Sequence, residues 1–307
     1  MQADAVVKPT LSAKHFTPAA NQDFPFPRAR SYSFTMTYRE RLENAWASSG
    51  SLLCVGIDPD AARLPEPLRD AAQPFLAFGK MIADATAPFC AAFKPQFAHF
   101  AGQARTEELR ALCRYIHEAH PDRLLVLDAK RGDIGSTAAF YAREAFEVHA
   151  ADAVTVNPYM GGDTLEPFTK DPAHGVFVLC KTSNAGSDEF QNLRTKGSRR
   201  LFEEVARRAA TEWNTNANVG LVVGATYPAE IEAVRALAPD LPLLVPGIGA
   251  QGGDLAATLR AGLDARGAGM LINASRSIIH AGSGVDFAAR AADAARALNE
   301  QINALRP

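Results

Sequence analysis

The 307-residue chain has little surplus charge: 32 Lys and Arg stand against 34 Asp and Glu, a formal balance of −2. A nucleic-acid footprint needs Lys and Arg clustered in excess, so that class of partner is excluded. Long apolar runs are missing too. The longest, such as Leu124 to Leu127 and Gly175 to Cys180, fall far short of the ~18 residues that mark a membrane span. Cysteine is scarce: Cys54, Cys90, Cys113 and Cys180 lie at least 23 residues apart with no CxxC pair. That spacing argues against a metal or disulfide framework and for buried, reduced thiols in a cytoplasmic protein. The histidines show no trusted metal-ligand spacing either; His117 and His120, three apart on one helical stretch, read as its solvated end.

What is present is an ordinary globular composition, 47% hydrophobic and 21% charged. Residues 1 to 35 stand apart, with Pro9, Pro18, Pro25 and Pro27, scattered Ser and Thr and no apolar periodicity. They read as a disordered or loosely attached extension. Met36 opens the periodic part, so a start at that position is an equally good reading.

From Met36 onward, short apolar runs alternate with helical patterns, as in parallel βα units. Eight strands are expected, at Leu52–Ile57, Ala91–Lys94, Leu124–Leu127, Ala153–Val156, Val176–Leu179, Gly220–Val223, Leu243–Val245 and Met270–Ile272. Helical stretches fall between them: Glu107–Ala119, with Thr106 as expected N-cap, Ser136–Val148, Ser198–Trp213, Pro228–Leu237 and Asp254–Ala261. The strand runs lack polar alternation, so both faces should be buried. Eight units in about 270 residues favour an α/β fold of the (β/α)8 TIM-barrel type, residues 36 to 307, over a doubly wound open sheet.

Most of the apolar runs end on chemically capable residues, and in barrels of this type the C-terminal strand ends carry the active site. The densest group is Asp128-Ala129-Lys130-Arg131-Gly132-Asp133 after the third strand. On an extended segment Asp128 and Lys130 share a face. Lys94, ending the second strand, and Asp133 complete four alternating charges in one mouth. A structural salt bridge would explain one pair; so many charges drawn partly out of water point to function. A second group follows strands seven and eight: Val245 to Asp254, rich in glycine, and Asn273-Ala274-Ser275-Arg276. Freed backbone N–H groups, a helix N-terminus and the Arg276 guanidinium suit a phosphate.

These residues resemble the orotidine 5′-phosphate decarboxylase family, in its longer, second subfamily. The resemblance rests on CVGIDPD at Cys54 to Asp60, FKPQ at Phe93 to Gln96, LDAKRGDIGST at Leu127 to Thr137, TSNAG at Thr182 to Gly186, VPGIGAQGGD at Val245 to Asp254 and SRSI at Ser275 to Ile278. Magnesium-dependent relatives share the DxKxxD core but have a glutamate where this chain has Lys94, and lysine fits the metal-free branch. The resemblance implies a cofactor-free carboxy-lyase that turns orotidine 5′-phosphate into UMP. In it Lys130 protonates C6, Asp128 sits against the substrate carboxylate, and Asp58 and Lys94 bind the ribose. Ser183 meets the pyrimidine, while Pro246, Gln251, Ser275 and Arg276 line the phosphate end, with Gln251 closing over the phosphate. It implies a homodimer in which Asp133, Ile134 and Thr137 enter the neighbouring subunit's site. The long polar loop from Lys181 to Gly197 reads as a phosphate lid.

Overall fold

The computed structural model describes residues 36–248 and 252–307; the extension expected at residues 1 to 35, and Gln251, lie outside them. Eight parallel strands close into a barrel in sequence order, β8 pairing back onto β1. In chain order the elements are α1 (Tyr38–Ser49), β1 (Leu53–Ile57), α2 (Pro74–Thr86), β2 (Ala92–Pro95), α3 (Phe97–Ala101), α4 (Thr106–Ala119) and β3 (Leu124–Arg131). Then come α5 (Gly135–Arg143), β4 (Ala153–Val156), α6 (Glu166–Thr169), β5 (Gly175–Lys181), α7 (Asp188–Gln191), α8 (Leu201–Arg208) and β6 (Val219–Val223). The chain ends with α9 (Pro228–Leu237), β7 (Leu243–Pro246), α10 (Leu255–Gly262), β8 (Met270–Ala274), α11 (Arg276–Ile279) and α12 (Phe287–Ala304).

The expected barrel is therefore the observed one, and each strand lies where an apolar run placed it. β1, β2, β4, β6 and β8 are buried at every position, as a wall between a packed interior and a ring of helices requires. The four cysteines are free and buried.

Helix α1 plugs the N-terminal end of the barrel. Thr37 caps it in a reciprocal box with Glu40. Its Tyr38 ring is buried edge-on against Phe177, over a glycine whose added Cβ would lie 2.3 Å from the ring at Gly175. Arg41 pairs with Asp152, whose other oxygen accepts the Leu125 N–H at 2.8 Å. With that end closed by packing, the open face is the one where the strands finish.

Three local expectations are corrected. Arg105, not Thr106, occupies the N-cap of α4 and makes no side-chain cap bond; Thr106 is already helical. His117 is buried on α4 against the Ala150 carbonyl rather than solvated, because this face packs on the loop before β4. The strand β3 runs four residues beyond its apolar part, so Asp128 to Arg131 belong to the barrel wall and not to a loop after it.

Candidate active site

At the open end, Lys94 from β2 and Lys130 from β3 hold opposite oxygens of the Asp128 carboxylate. Lys94 Nζ donates to Oδ2 at 2.8 Å and Lys130 Nζ to Oδ1 at 2.6 Å. Lys94 and Asp128 are almost wholly buried, whereas the Lys130 side chain is 47% exposed and reaches the cavity. Burial alone would drive the Lys94 ammonium toward its neutral form, but Asp128 and Asp58 outweigh it and raise its pKa. Burial likewise pushes the Asp128 carboxyl up, and the two ammonium groups more than reverse this, holding it well below the usual carboxylate range.

Simple alternation does not bring Asp128 and Lys130 together. The register between β3 and β4 shifts between Leu127 and Arg131, and Lys130 has φ of 47°, a left-handed conformation uncommon for a residue with a Cβ. A bulge of this kind re-aims a side chain at a strand end. Thr155 on β4 spans it: its hydroxyl accepts the N–H groups of Ala129 (3.1 Å) and Lys130 (2.9 Å) and donates to Asp128 Oδ1 (2.9 Å).

These residues line a cavity of about 370 Å³ together with Leu179, Thr182, Ser183, Asn184, Val222, Leu244 and Pro246. One flank is apolar strand residue and the other a polar loop. Gly224 lets that loop approach, since a Cβ there would sit 2.7 Å from Ser183 Cβ and 2.8 Å from its backbone N. The loop is anchored from below. Lys181, expected to open the lid, is instead a buried strand residue that donates to Ser187 Oγ (2.7 Å) and Asp188 Oδ1 (2.6 Å). Thr182 N–H donates to Gln191 Oε1 at 2.8 Å.

Around the rim, Ser275 Oγ donates to Asp58 Oδ2 at 2.6 Å, and Asp58 Oδ1 has no hydrogen-bond partner among the described residues. Arg276 is exposed as the first residue of α11. The turn after β7 uses left-handed backbone at Gly247 (φ 109°) and Gly252 (φ 79°), where glycine alone is unstrained. It closes with Gly253 N–H donating to Gly247 O at 3.2 Å, and Asp254 then caps α10.

Asp133 does not join the charges in this mouth. Its Oδ1 accepts the Ile134 N–H at 2.8 Å beside the start of α5, and Ile134 and Thr137 are exposed on the outer lip. The cavity holds three of the four charges anticipated together. Sequence reasoning missed Thr155 and Gly224, and took Lys181 for the start of a lid rather than a buried anchor. A threonine or glycine in an apolar run carries no local signal, and a lysine that opens a polar stretch gives no sign that it is buried.

The sequence matches the Orotidine 5′-phosphate decarboxylase / HUMPS family over residues 51–292. It is 54% identical to an orotidine 5′-phosphate decarboxylase of Ralstonia nicotianae over 271 residues, 88% of this chain and 100% of the relative. The structure of the Leishmania donovani OMP decarboxylase superposes with a TM-score of 0.75 at 44% identity, covering 88% of this chain and 98% of that one. The UMP synthase of the same organism gives a TM-score of 0.79 at 46% identity over 88% of this chain, which spans 57% of that longer protein. Family match, identity and fold agree: the chain belongs to the orotidine 5′-phosphate decarboxylase family.

Proposed function

We propose that this protein removes carbon dioxide from orotidine 5′-phosphate to give UMP, in the second subfamily, with no metal or organic cofactor. One observation carries the reading: a buried, ionised Asp128 clasped by two lysines at the floor of a cavity, one of them open to it. Breaking the C6–carboxylate bond leaves an electron pair in the ring plane, beyond reach of the π system. A fixed ammonium meets that charge without reorganising. Lys130 supplies it and transfers one proton to C6 as CO2 departs, ending as a neutral amine that solvent reprotonates.

Asp128 is assigned to the substrate carboxylate. Two unit charges 4 Å apart repel by roughly 4 kcal/mol at an effective dielectric of ~20. Binding energy must come from elsewhere, and the remote phosphate is the source. Ser183 is assigned to the pyrimidine, Asp58 and Lys94 to the ribose, and Pro246, Gln251, Ser275 and Arg276 to the phosphate end. The partnerless Asp58 Oδ1 supports its role as an acceptor for a ribose hydroxyl. In the loop from residue 182 to residue 197, the cavity-lining Ser183 supports contact with the ring.

The active unit is proposed to be a homodimer, with Asp133, Ile134 and Thr137 entering the partner's site. An exposed apolar rim near this lip supports it: Ile134, Phe140, Tyr159 and Met160, with Ile134 61% and Tyr159 84% exposed. Residues 36 to 307 are proposed as the catalytic domain, since 271 residues of the chain match the whole Ralstonia relative. Among the described residues no helix is long and apolar enough to cross a membrane, and the buried free thiols suit the cytoplasm. Purified protein mixed with orotidine 5′-phosphate and EDTA tests the function: substrate absorbance should fall, and a magnesium requirement would favour the sugar-phosphate branch instead.

A further inference from the structure

We infer that Thr155 is a positioning residue for proton delivery to C6, an inference that rests on the decarboxylase reading above. A hydroxyl has one proton to give and two lone pairs to receive. Thr155 uses all three on the reacting constellation: it donates to Asp128 Oδ1 and accepts from the backbone N–H groups of Ala129 and Lys130. Thr155 is 1% exposed, so its three partners are met by the protein and not by surface water.

These three bonds tie two things that must keep a fixed relation. One is the carboxylate that both lysines grip. The other is the backbone of Lys130, held at φ of 47° inside the β3 bulge. The far end of the bulge is fastened as well. Asn157 N–H donates to Arg131 O at 2.7 Å, and the Arg131 guanidinium lies over Phe97 and Tyr141 at 4.2 and 4.6 Å while pairing with Glu144. Arg131 is therefore held by contacts that do not involve Thr155. Asp128 is held from the other side by its bridge to Gln96 and by Lys94, so what the Thr155 hydroxyl adds is the tie between that carboxylate and the backbone of Ala129 and Lys130, which aims the ammonium. Valine at 155 keeps the shape and strand propensity but takes the acceptor from the Ala129 and Lys130 N–H groups and leaves Asp128 Oδ1 with Lys130 Nζ as its remaining donor.

The test compares wild type, T155V and T155S in the full chain. Decarboxylation of orotidine 5′-phosphate is resolved into kcat and KM. Exchange of the C6 hydrogen of UMP for deuterium in D2O follows the proton step in reverse, without any carboxylate. T155V should lose about 10- to 100-fold in kcat, the scale of a hydrogen bond to a charged group, with KM within about threefold. C6 exchange should fall in parallel, and T155S should stay within about threefold of wild type in both assays. If T155V does not fold, T155C keeps the volume with a much weaker donor and is read the same way. Wild-type kcat and exchange in T155V, or T155S as impaired as T155V, overturns the inference, because methyl packing and not the hydroxyl would then matter. An inactive wild type overturns the decarboxylase reading itself; an active wild type matched by T155V overturns only this inference.

Discussion

The Lys94 ammonium lies 2.8 Å from Oδ2 of Asp128, and the two side chains are only 5% and 9% exposed. Charges so deeply buried are costly unless paired, and removing one partner strands the other. K94A should therefore destabilise the protein by about 3–5 kcal/mol, as well as impair it. Urea unfolding at pH 7 measures this; an unchanged midpoint would mean the pair is not buried as described.

The cavity's polar wall depends on a missing side chain. In G224A the new Cβ falls within 2.9 Å of three Ser183 atoms, so the loop that carries Ser183 must move. Displacements of this order misalign a substrate by enough to cost roughly 10- to 100-fold in kcat/KM. Steady-state kinetics on folded G224A check it, and wild-type values would remove Ser183 from the site.

The phosphate end is separable from the chemistry. R276A should raise KM for orotidine 5′-phosphate by about 10- to 100-fold, the range of a charge-assisted contact. Turnover of orotidine without its phosphate should be unaffected by the same substitution. Equal losses on both substrates would place Arg276 elsewhere.

Burial, reinforced by the cations of Arg110 and Arg131, pushes the His149 imidazole down to about 4. The unfolded chain protonates near the ordinary value of ~6.5. Between these values the unfolded state takes up a proton that the folded state refuses. Stability should thus fall as pH drops from about 6.5 to 4, by up to about 1.4 kcal/mol per pH unit from this group, and be retained above that window. Denaturation midpoints against pH should be flatter in H149L, and identical profiles would assign the effect to other groups.

The barrel could be read from the sequence because a strand buried on both faces leaves an uninterrupted apolar run. Apart from β3, each such run lies within two residues of its observed strand. β3 broke the rule where the chain becomes functional: Asp128 to Arg131 look like a loop because they are charged, yet they stay in the wall, paired and bulged. α1, α2 and the alanine-rich α12 are not among the helical stretches named from the sequence; in α1 and α12 sparse large apolar residues give a weak periodic signal. Lys94, Asp128 and Lys130 were recognisable from position at strand ends. Thr155 was not, because its role comes from a hydroxyl meeting a segment about 26 residues earlier in the chain.

The central claim is that Lys130 gives its proton to C6 in a reaction that needs no metal. The most direct measurement follows the loss of orotidine 5′-phosphate absorbance in EDTA, for wild type beside K130A. The account expects wild-type turnover undiminished by EDTA and a K130A rate lower by about 10³-fold or more, the upper range for a lost general acid. No wild-type turnover in EDTA, or K130A turning over at the wild-type rate, would contradict it.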